Sequence, residues 1–154
     1  MNSVLFVCLG NICRSPLAEA VARSQFARSG LAVEVASAGT GDYHVGEGAD
    51  SRAIASAAAH GYDLSGHRAR QVAMADFDRF DMLLAMDQAN YRALRLRCPV
   101  RYASRVALFL PYAGIRQPSE VPDPYFGGKE GFERVIELAR RGVDGLIARR
   151  TDDA

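Results

Sequence analysis

Four short apolar runs, at residues 4–8, 33–37, 81–86 and 106–110, are separated by stretches whose apolar residues fall at helical spacing. Runs of this length, bounded by turn residues and close to continuously apolar, are expected to be strands covered on both faces. Strands that alternate with helices imply an α/β chain built on a parallel sheet. The helical stretches carry their own punctuation. Residues 16–27 place Leu17, Ala20, Val21 and Ala27 at helical spacing, with Ser15 as the expected N-cap, Pro16 at the first helical position and Gly30 as the stop. Asp50 is placed to cap an alanine-rich helix over 51–60 that Gly61 ends, and Asp87 to cap a helix over 88–97. A last helix is expected from about 131 to 149, with Phe132, Val135, Ile136, Leu138, Ala139, Val143, Leu146 and Ile147 in register.

The length of 154 residues suits one domain, 1–154, with a sizeable core. A net charge of +1 gives no broad basic field, so nucleic acid is not an expected partner. No apolar run approaches the length of a membrane span. The apolar start at 4–9 is too short for a signal peptide and has no basic segment before it, so a cytoplasmic location is expected. Cys8, Cys13 and Cys98 make an odd count that suits a reducing compartment. No Cys/His grouping has zinc-ligand spacing, and no metal or cofactor is expected.

In an open parallel sheet the ligand sits at the carboxyl ends of the strands, where the winding reverses. The loop after the first strand, Cys8 to Ser15, reads "CLGNICRS". Gly10 allows positive φ and Asn11 tolerates it. Such a loop can turn the backbone N–H groups of Leu9, Gly10, Asn11, Ile12, Cys13, Arg14 and Ser15 toward one tetrahedral oxyanion at a helix N-terminus. The Arg14 fork suits two phosphate oxygens. The same positive end stabilises Cys8 as a thiolate, and the Ser15 hydroxyl can donate to that sulfur. A proton donor for a leaving group is found in "EVPDPYFGG": prolines on both sides of Asp123 hold it in an extended, stiff segment. This segment lies in the long non-periodic stretch 111–128, the kind of loop that often serves as a lid or binding loop. Tyr43 and Tyr125 could wall a cleft for an aromatic ring.

Taken singly, each of these residues has a plainer reading. A cysteine at a strand end is commonly a small buried hydrophobe, an aspartate between prolines a turn residue, and a tyrosine a packing residue. The conjunction is harder to explain structurally, because an arginine at the start of a helix points at a positive helix end.

At this point the sequence resembles the low-molecular-weight protein tyrosine phosphatases, over about residues 3–148. "VCLGNICRSP" looks like their signature loop and "DPYFGG" like their general-acid loop; "SAGT", "GHRARQ" and "AMDQAN" are supporting segments. The resemblance implies a flavodoxin-like three-layer sandwich with a four-stranded parallel sheet, and a cofactor-free phosphatase. It implies that Cys8 is the nucleophile, Arg14 the phosphate clamp and Asp123 the general acid and base. Asn11, Ser15, Ser37 and His67 match positions that hold the phosphate loop in shape, and Ser15 also assists the leaving thiolate. Leu9, Ile12, Tyr43 and Tyr125 match the cleft. Cys13 matches a second loop cysteine able to form a reversible disulfide with Cys8; the alternative is simple packing. Cys98 has no such match and is read as packing, and Asp87 and Asn90 as structural. The implied partner is a phosphotyrosine protein, among bacteria often a tyrosine kinase of polysaccharide assembly. Phe126 departs from the many members with a second tyrosine there, so two-tyrosine regulation is not expected.

Three other functions compete. An arsenate reductase on this fold needs two further relay cysteines, and residues 14–97 contain none. A phosphocarrier needs a long-lived phosphocysteine, which Arg14 and Asp123 work against. A phosphotyrosine-binding module without turnover would have no use for the full set of catalytic residue types.

Overall fold

The computed structural model describes residues 1–152. Four strands, β1 (Ser3–Cys8), β2 (Glu34–Gly39), β3 (Met82–Ala85) and β4 (Val106–Leu108), form one parallel sheet in the order β2-β1-β3-β4. The winding therefore reverses between β1 and β3, and the crevice at that point lies beyond Cys8.

All six residues of β1 are buried, because both sheet faces are covered. Successive side chains point to opposite faces. Val4, Phe6 and Cys8 face one apolar cluster, with α1 (Arg14–Arg28), α2 (Ser51–Ala59), α5 (Phe109–Tyr112) and α6 (Lys129–Asp152). Leu5 and Val7 face the other, with α3 (Met74–Arg79) and α4 (Gln88–Arg97). The result is a helix–sheet–helix sandwich. Cys98 packs at the edge of the second cluster. Among the described residues no helix is long and apolar enough to cross a membrane.

Several boundaries differ from expectation for physical reasons. The first helix begins at Arg14, and Cys13 is its N-cap, with no side-chain cap bond. Ser15 is thus inside the first turn, where its hydroxyl is free for other work. The fourth strand stops at Leu108, and the chain turns into α5 so that the Phe109 ring meets Phe6 edge-on, 5.1 Å between centroids; such a pair adds about 1 kcal/mol beyond burial. α5 lies close on α6 because Gly142 leaves room for that ring: a Cβ there would sit 2.3 Å from Phe109. Helix α3 and a 3₁₀ turn at Val100–Arg105 have no counterpart in the sequence reading, since six residues are too few to display a period. The 51–59 and 88–97 helices carry the expected caps: Asp50 accepts from the Arg52 N–H and Asp87 from the Asn90 N–H, both at 2.8 Å.

Candidate active site

Cys8 is the last residue of β1, and the chain leaves the sheet there as an open loop that feeds α1. The loop is pinned to the strand end by the Thr40 N–H on the Cys8 carbonyl (2.9 Å) and the Gly41 N–H on the Leu9 carbonyl (3.0 Å). It lies so close to β2 that a Cβ at Gly39 would stand 2.6 Å from the Leu9 oxygen. The left-handed residue is Asn11, at φ 58°. Gly10 is not in that region; its small size is used instead to admit His44, whose ring carbon would lie 2.9 Å from a Cβ there.

That strained asparagine is held on all sides. Its side-chain amide donates to Ser15 Oγ (2.9 Å) and Ser37 Oγ (3.0 Å). Its side-chain oxygen accepts from the Arg70 N–H (2.9 Å), and its carbonyl accepts from His67 Nε2 (2.7 Å). Ser37 in turn donates to Glu19 Oε1 at 2.6 Å. Fully satisfied buried networks of this kind rigidify what they surround. Ser37 and His67 are therefore placed beneath the loop and not in the cleft.

The Asn11 backbone N–H donates to Cys8 Sγ at 3.3 Å, and Ser15 Oγ lies 2.9 Å from the same sulfur. Because Ser15 Oγ already accepts from Asn11, its own proton is available to the sulfur. Among the described residues, the N–H groups of Leu9, Gly10, Ile12 and Cys13 donate to no protein acceptor. Together with the start of α1 they form a concave set of donors suited to an oxyanion.

Arg14 is 4% exposed and stands at the positive end of α1, an unfavourable place for a cation. Its compensation comes from afar. Nη1 donates to Asp87 Oδ2 (2.7 Å) and to the Val121 carbonyl (3.0 Å), and Nη2 lies 3.9 Å from Asp123 Oδ2. Burial alone would pull the guanidinium down; Cys8, Asp87 and Asp123 outweigh it and hold Arg14 above its ordinary value. Cys13 is the opposite case. Burial, reinforced by Asp50, Cys8 and Asp123, pushes its thiol up to about 12, so it stays protonated near neutrality.

A cleft of ≈ 330 Å³ opens above the loop, lined by Cys8, Leu9, Gly10, Ile12, Cys13, Arg14, Tyr43, His44, Asp123, Tyr125 and Phe126. Asp123 reaches it from the loop between α5 and α6, its carboxylate accepting from the Tyr125 N–H at 3.0 Å. Tyr43 and Tyr125 stand on opposite loops, 72% and 39% exposed. Sequence reading missed His44, which lines the cleft, Arg70, which holds Asn11, and two further members of the site. Asp87, expected as a helix cap, caps α4 with one oxygen and holds Arg14 with the other. Glu19 lies under the loop; its only sequence signal was an acidic residue on the otherwise core-facing start of α1. Among the described residues no group of three His, Cys, Asp or Glu side chains is arranged to hold a metal ion.

The family described as low molecular weight phosphotyrosine protein phosphatase matches residues 3–153. A low molecular weight protein-tyrosine-phosphatase of Streptomyces coelicolor is 48% identical over 150 residues, covering 94% of this chain and 91% of that protein. The crystal structure of a protein tyrosine phosphatase from Entamoeba histolytica, with Hepes in its active site, superposes with a TM-score of 0.94 at 39% identity, covering 99% of each chain. Vibrio vulnificus Wzb, solved in complex with benzylphosphonate, gives 0.84 at 30% identity, covering 96% of this chain and 98% of that one.

Proposed function

The chain belongs to the low molecular weight phosphotyrosine protein phosphatases and is a protein-tyrosine-phosphatase, and on that premise we propose how its own residues carry the reaction: in two steps, through a phosphocysteine on Cys8. In the first, the Cys8 sulfur attacks phosphorus as the bond to the tyrosine oxygen breaks, and Asp123 gives its proton to that oxygen. The free N–H groups of the loop and the Arg14 fork take up charge on the three remaining phosphoryl oxygens, where donors fixed in advance cost no reorganisation. In the second, the Asp123 carboxylate removes a proton from water, the water oxygen attacks phosphorus, and the phosphorus–sulfur bond breaks. The Ser15 proton then stabilises the departing thiolate, and inorganic phosphate leaves.

The observation that carries this reading is the convergence of Asp123 and Arg14: a carboxylate 3.9 Å from the clamp, over a sulfur that accepts from both Ser15 and Asn11. A carboxylate that shares the cleft with the clamp and the nucleophile is in place to serve a leaving oxygen, because catalytic hydrogen bonds tighten only when the substrate is bound. The aromatic rings of Tyr43 and Tyr125 favour aryl over alkyl esters, in line with the benzylphosphonate bound by Vibrio vulnificus Wzb. The substrate proposed is accordingly a tyrosine-phosphorylated protein. A bacterial tyrosine kinase of polysaccharide assembly is the first such protein to assay, and the cytoplasm is the compartment proposed for their meeting.

The test is the rate of p-nitrophenyl phosphate hydrolysis against pH, without added metal, for wild type, Cys8→Ser and Asp123→Asn. The expected result is an active wild type, no turnover by Cys8→Ser, and a loss of about 10²-fold or more in Asp123→Asn, the usual size of a general-acid effect. An Asp123→Asn variant as active as wild type would remove Asp123 from the mechanism.

A further inference from the structure

The acid-bearing segment is exposed. Between 122 and 128 only Pro124 is buried, and an exposed loop by itself cannot hold a carboxylate within hydrogen-bond range of a substrate oxygen. The segment is tied at its start, where the Val121 N–H donates to the Met86 carbonyl (2.8 Å) and Arg14 faces Asp123 (3.9 Å), while beyond it the bonds of Tyr125 N–H to Asp123 Oδ1 (3.0 Å) and Gly127 N–H to the Pro124 carbonyl (2.9 Å) shape the turn from within. Among the described residues, one side chain outside the loop hydrogen-bonds any of residues 124–128: Arg52, whose Nη1 donates to the Gly127 carbonyl at 3.3 Å.

Arg52 is itself fixed from the other side. Asp50 takes its guanidinium in a two-point grip, Nε to Oδ1 at 3.1 Å and Nη2 to Oδ2 at 3.0 Å. The Asp50 N–H donates to the carbonyl of Ile12 at 2.9 Å, a residue of the phosphate loop. A planar fork held at two points leaves its third edge aimed in one direction. That edge meets Gly127, and the guanidinium carbon lies 5.5 Å from the Tyr125 ring centre and 4.9 Å from that of the fully buried Phe132. A continuous path thus runs from Ile12, through Asp50 and Arg52, to Tyr125 and Gly127, the residues that follow Asp123.

We propose that Arg52 is a positioning residue for catalysis: it clasps the acid loop to the phosphate loop and so sets the distance between Asp123 and the phosphoryl group bound over Cys8. This rests on the assignment of Asp123 as general acid. Arg52 touches neither the substrate nor the reacting atoms; it acts through Asp123. Its effect must then follow the need for a proton. A phenolate leaving group requires protonation, whereas a dinitrophenolate leaves without it.

The experiment compares wild type, Arg52→Ala, Asp123→Asn and the double variant on phenyl phosphate and dinitrophenyl phosphate, with thermal melts of each. Arg52→Ala is expected to lower kcat/KM for phenyl phosphate about 10-fold and for dinitrophenyl phosphate less than about 3-fold, the pattern of a displaced acid. In the Asp123→Asn background, removal of Arg52 is expected to cost no more than about 2-fold, because two residues acting through one group are not additive. If Arg52→Ala does not fold, Arg52→Gln is read in the same way. Equal losses on both esters, the full loss repeated in the Asp123→Asn background, or no loss would each overturn the clasp. If Asp123→Asn discriminates between the esters and the Arg52 variant does not, only the clasp falls. If Asp123→Asn fails to discriminate, the acid assignment falls and the clasp with it.

Discussion

Arg14 donates to Asp87 Oδ2 at 2.7 Å, while the other oxygen of the same carboxylate caps helix α4 through the Asn90 N–H. One side chain thus ties the phosphate clamp to a rigid helix across the crevice between β1 and β3. The two tasks can be separated. Asparagine caps a helix as well as aspartate does but brings no charge to the arginine. Asp87→Asn is therefore expected to keep the cap, to lower the melting temperature because the buried guanidinium loses a charged partner, and to lower kcat/KM about 10-fold through a less well placed guanidinium. Asp87→Ala is expected to add about 1 kcal/mol of destabilisation from the lost cap. Steady-state kinetics and melts of both variants check this; full activity in Asp87→Asn would show that Arg14 keeps its place without the charge.

The Ser15 hydroxyl lies 2.9 Å from Cys8 Sγ and has no other strong acceptor, the Ala38 carbonyl being 3.5 Å away. Its contribution grows as the sulfur leaves phosphorus and gains charge. A hydrogen bond to a charged group contributes about 1.5–3 kcal/mol, so Ser15→Ala is expected to slow the second step by about 10- to 100-fold. Phosphocysteine should then accumulate, seen as a rapid burst of nitrophenol followed by slow turnover. A uniformly slowed reaction with no burst would place the role of Ser15 in the first step.

Cys13 gives the protein a stability that depends on pH. Its thiol ionises near 9 when free and is pushed up to about 12 by burial in the fold. Below about 9 both folded and unfolded chains hold the proton and nothing is lost. Between about 9 and 12 the unfolded chain releases it while the folded one retains it, so stability falls as pH rises. The slope for one such proton approaches about 1.4 kcal/mol per pH unit. Melts from pH 8 to 11 should show wild type losing stability more steeply than Cys13→Ala. Parallel curves would mean that Cys13 ionises in the folded protein as it does in the unfolded one.

The same protonated thiol bears on oxidation. Peroxide converts the Cys8 sulfur to a sulfenic acid; attack by the Cys13 sulfur then expels water and closes a disulfide. With Cys13 held neutral, the second step should accelerate with rising pH. Mass spectrometry after mild peroxide is expected to find a Cys8–Cys13 crosslinked peptide whose yield increases toward alkaline pH. Cys8 sulfonic acid with no crosslink would leave Cys13 as a packing residue.

Tyr43 and Tyr125 flank the cleft from separate loops. An aromatic contact is worth about 0.5–1.5 kcal/mol, so replacing either by alanine should raise KM for aryl phosphates about 3- to 10-fold. Hydrolysis of a phosphoserine peptide should change little. Wild-type rates that are equal on phosphoserine and phosphotyrosine peptides would contradict an aromatic-selective cleft.

Much of this site lies in one stretch of sequence. Cys8, Asn11, Arg14 and Ser15 act together within two turns' length of chain, and strand, loop and helix follow one another without interruption. Their chemistry could be read without knowing where the rest of the chain went. Even there, local reading misplaced the helix start: a serine before Pro16 reads as an N-cap, but the helix opens at Arg14 with Cys13 as its N-cap, while the expected contact of the Ser15 hydroxyl with the sulfur is present. Of the two loop residues read as able to take a positive φ, Gly10 and Asn11, it is Asn11 that takes it. The difference arises because Asn11 is held by Ser37, His67 and Arg70, all from other parts of the chain.

The alternation of strands and helices, the parallel sheet and the nucleophile loop are legible along the chain, because periodicity and turn chemistry act over a few residues. That Asp87 holds Arg14, that Glu19 closes the network under Ser37, and that Arg52 reaches Gly127 emerges from the folded arrangement alone. Those contacts depend on which strands are neighbours and in what register. The β2-β1-β3-β4 order brings the ends of β1 and β3 together, and with them side chains that no local pattern connects.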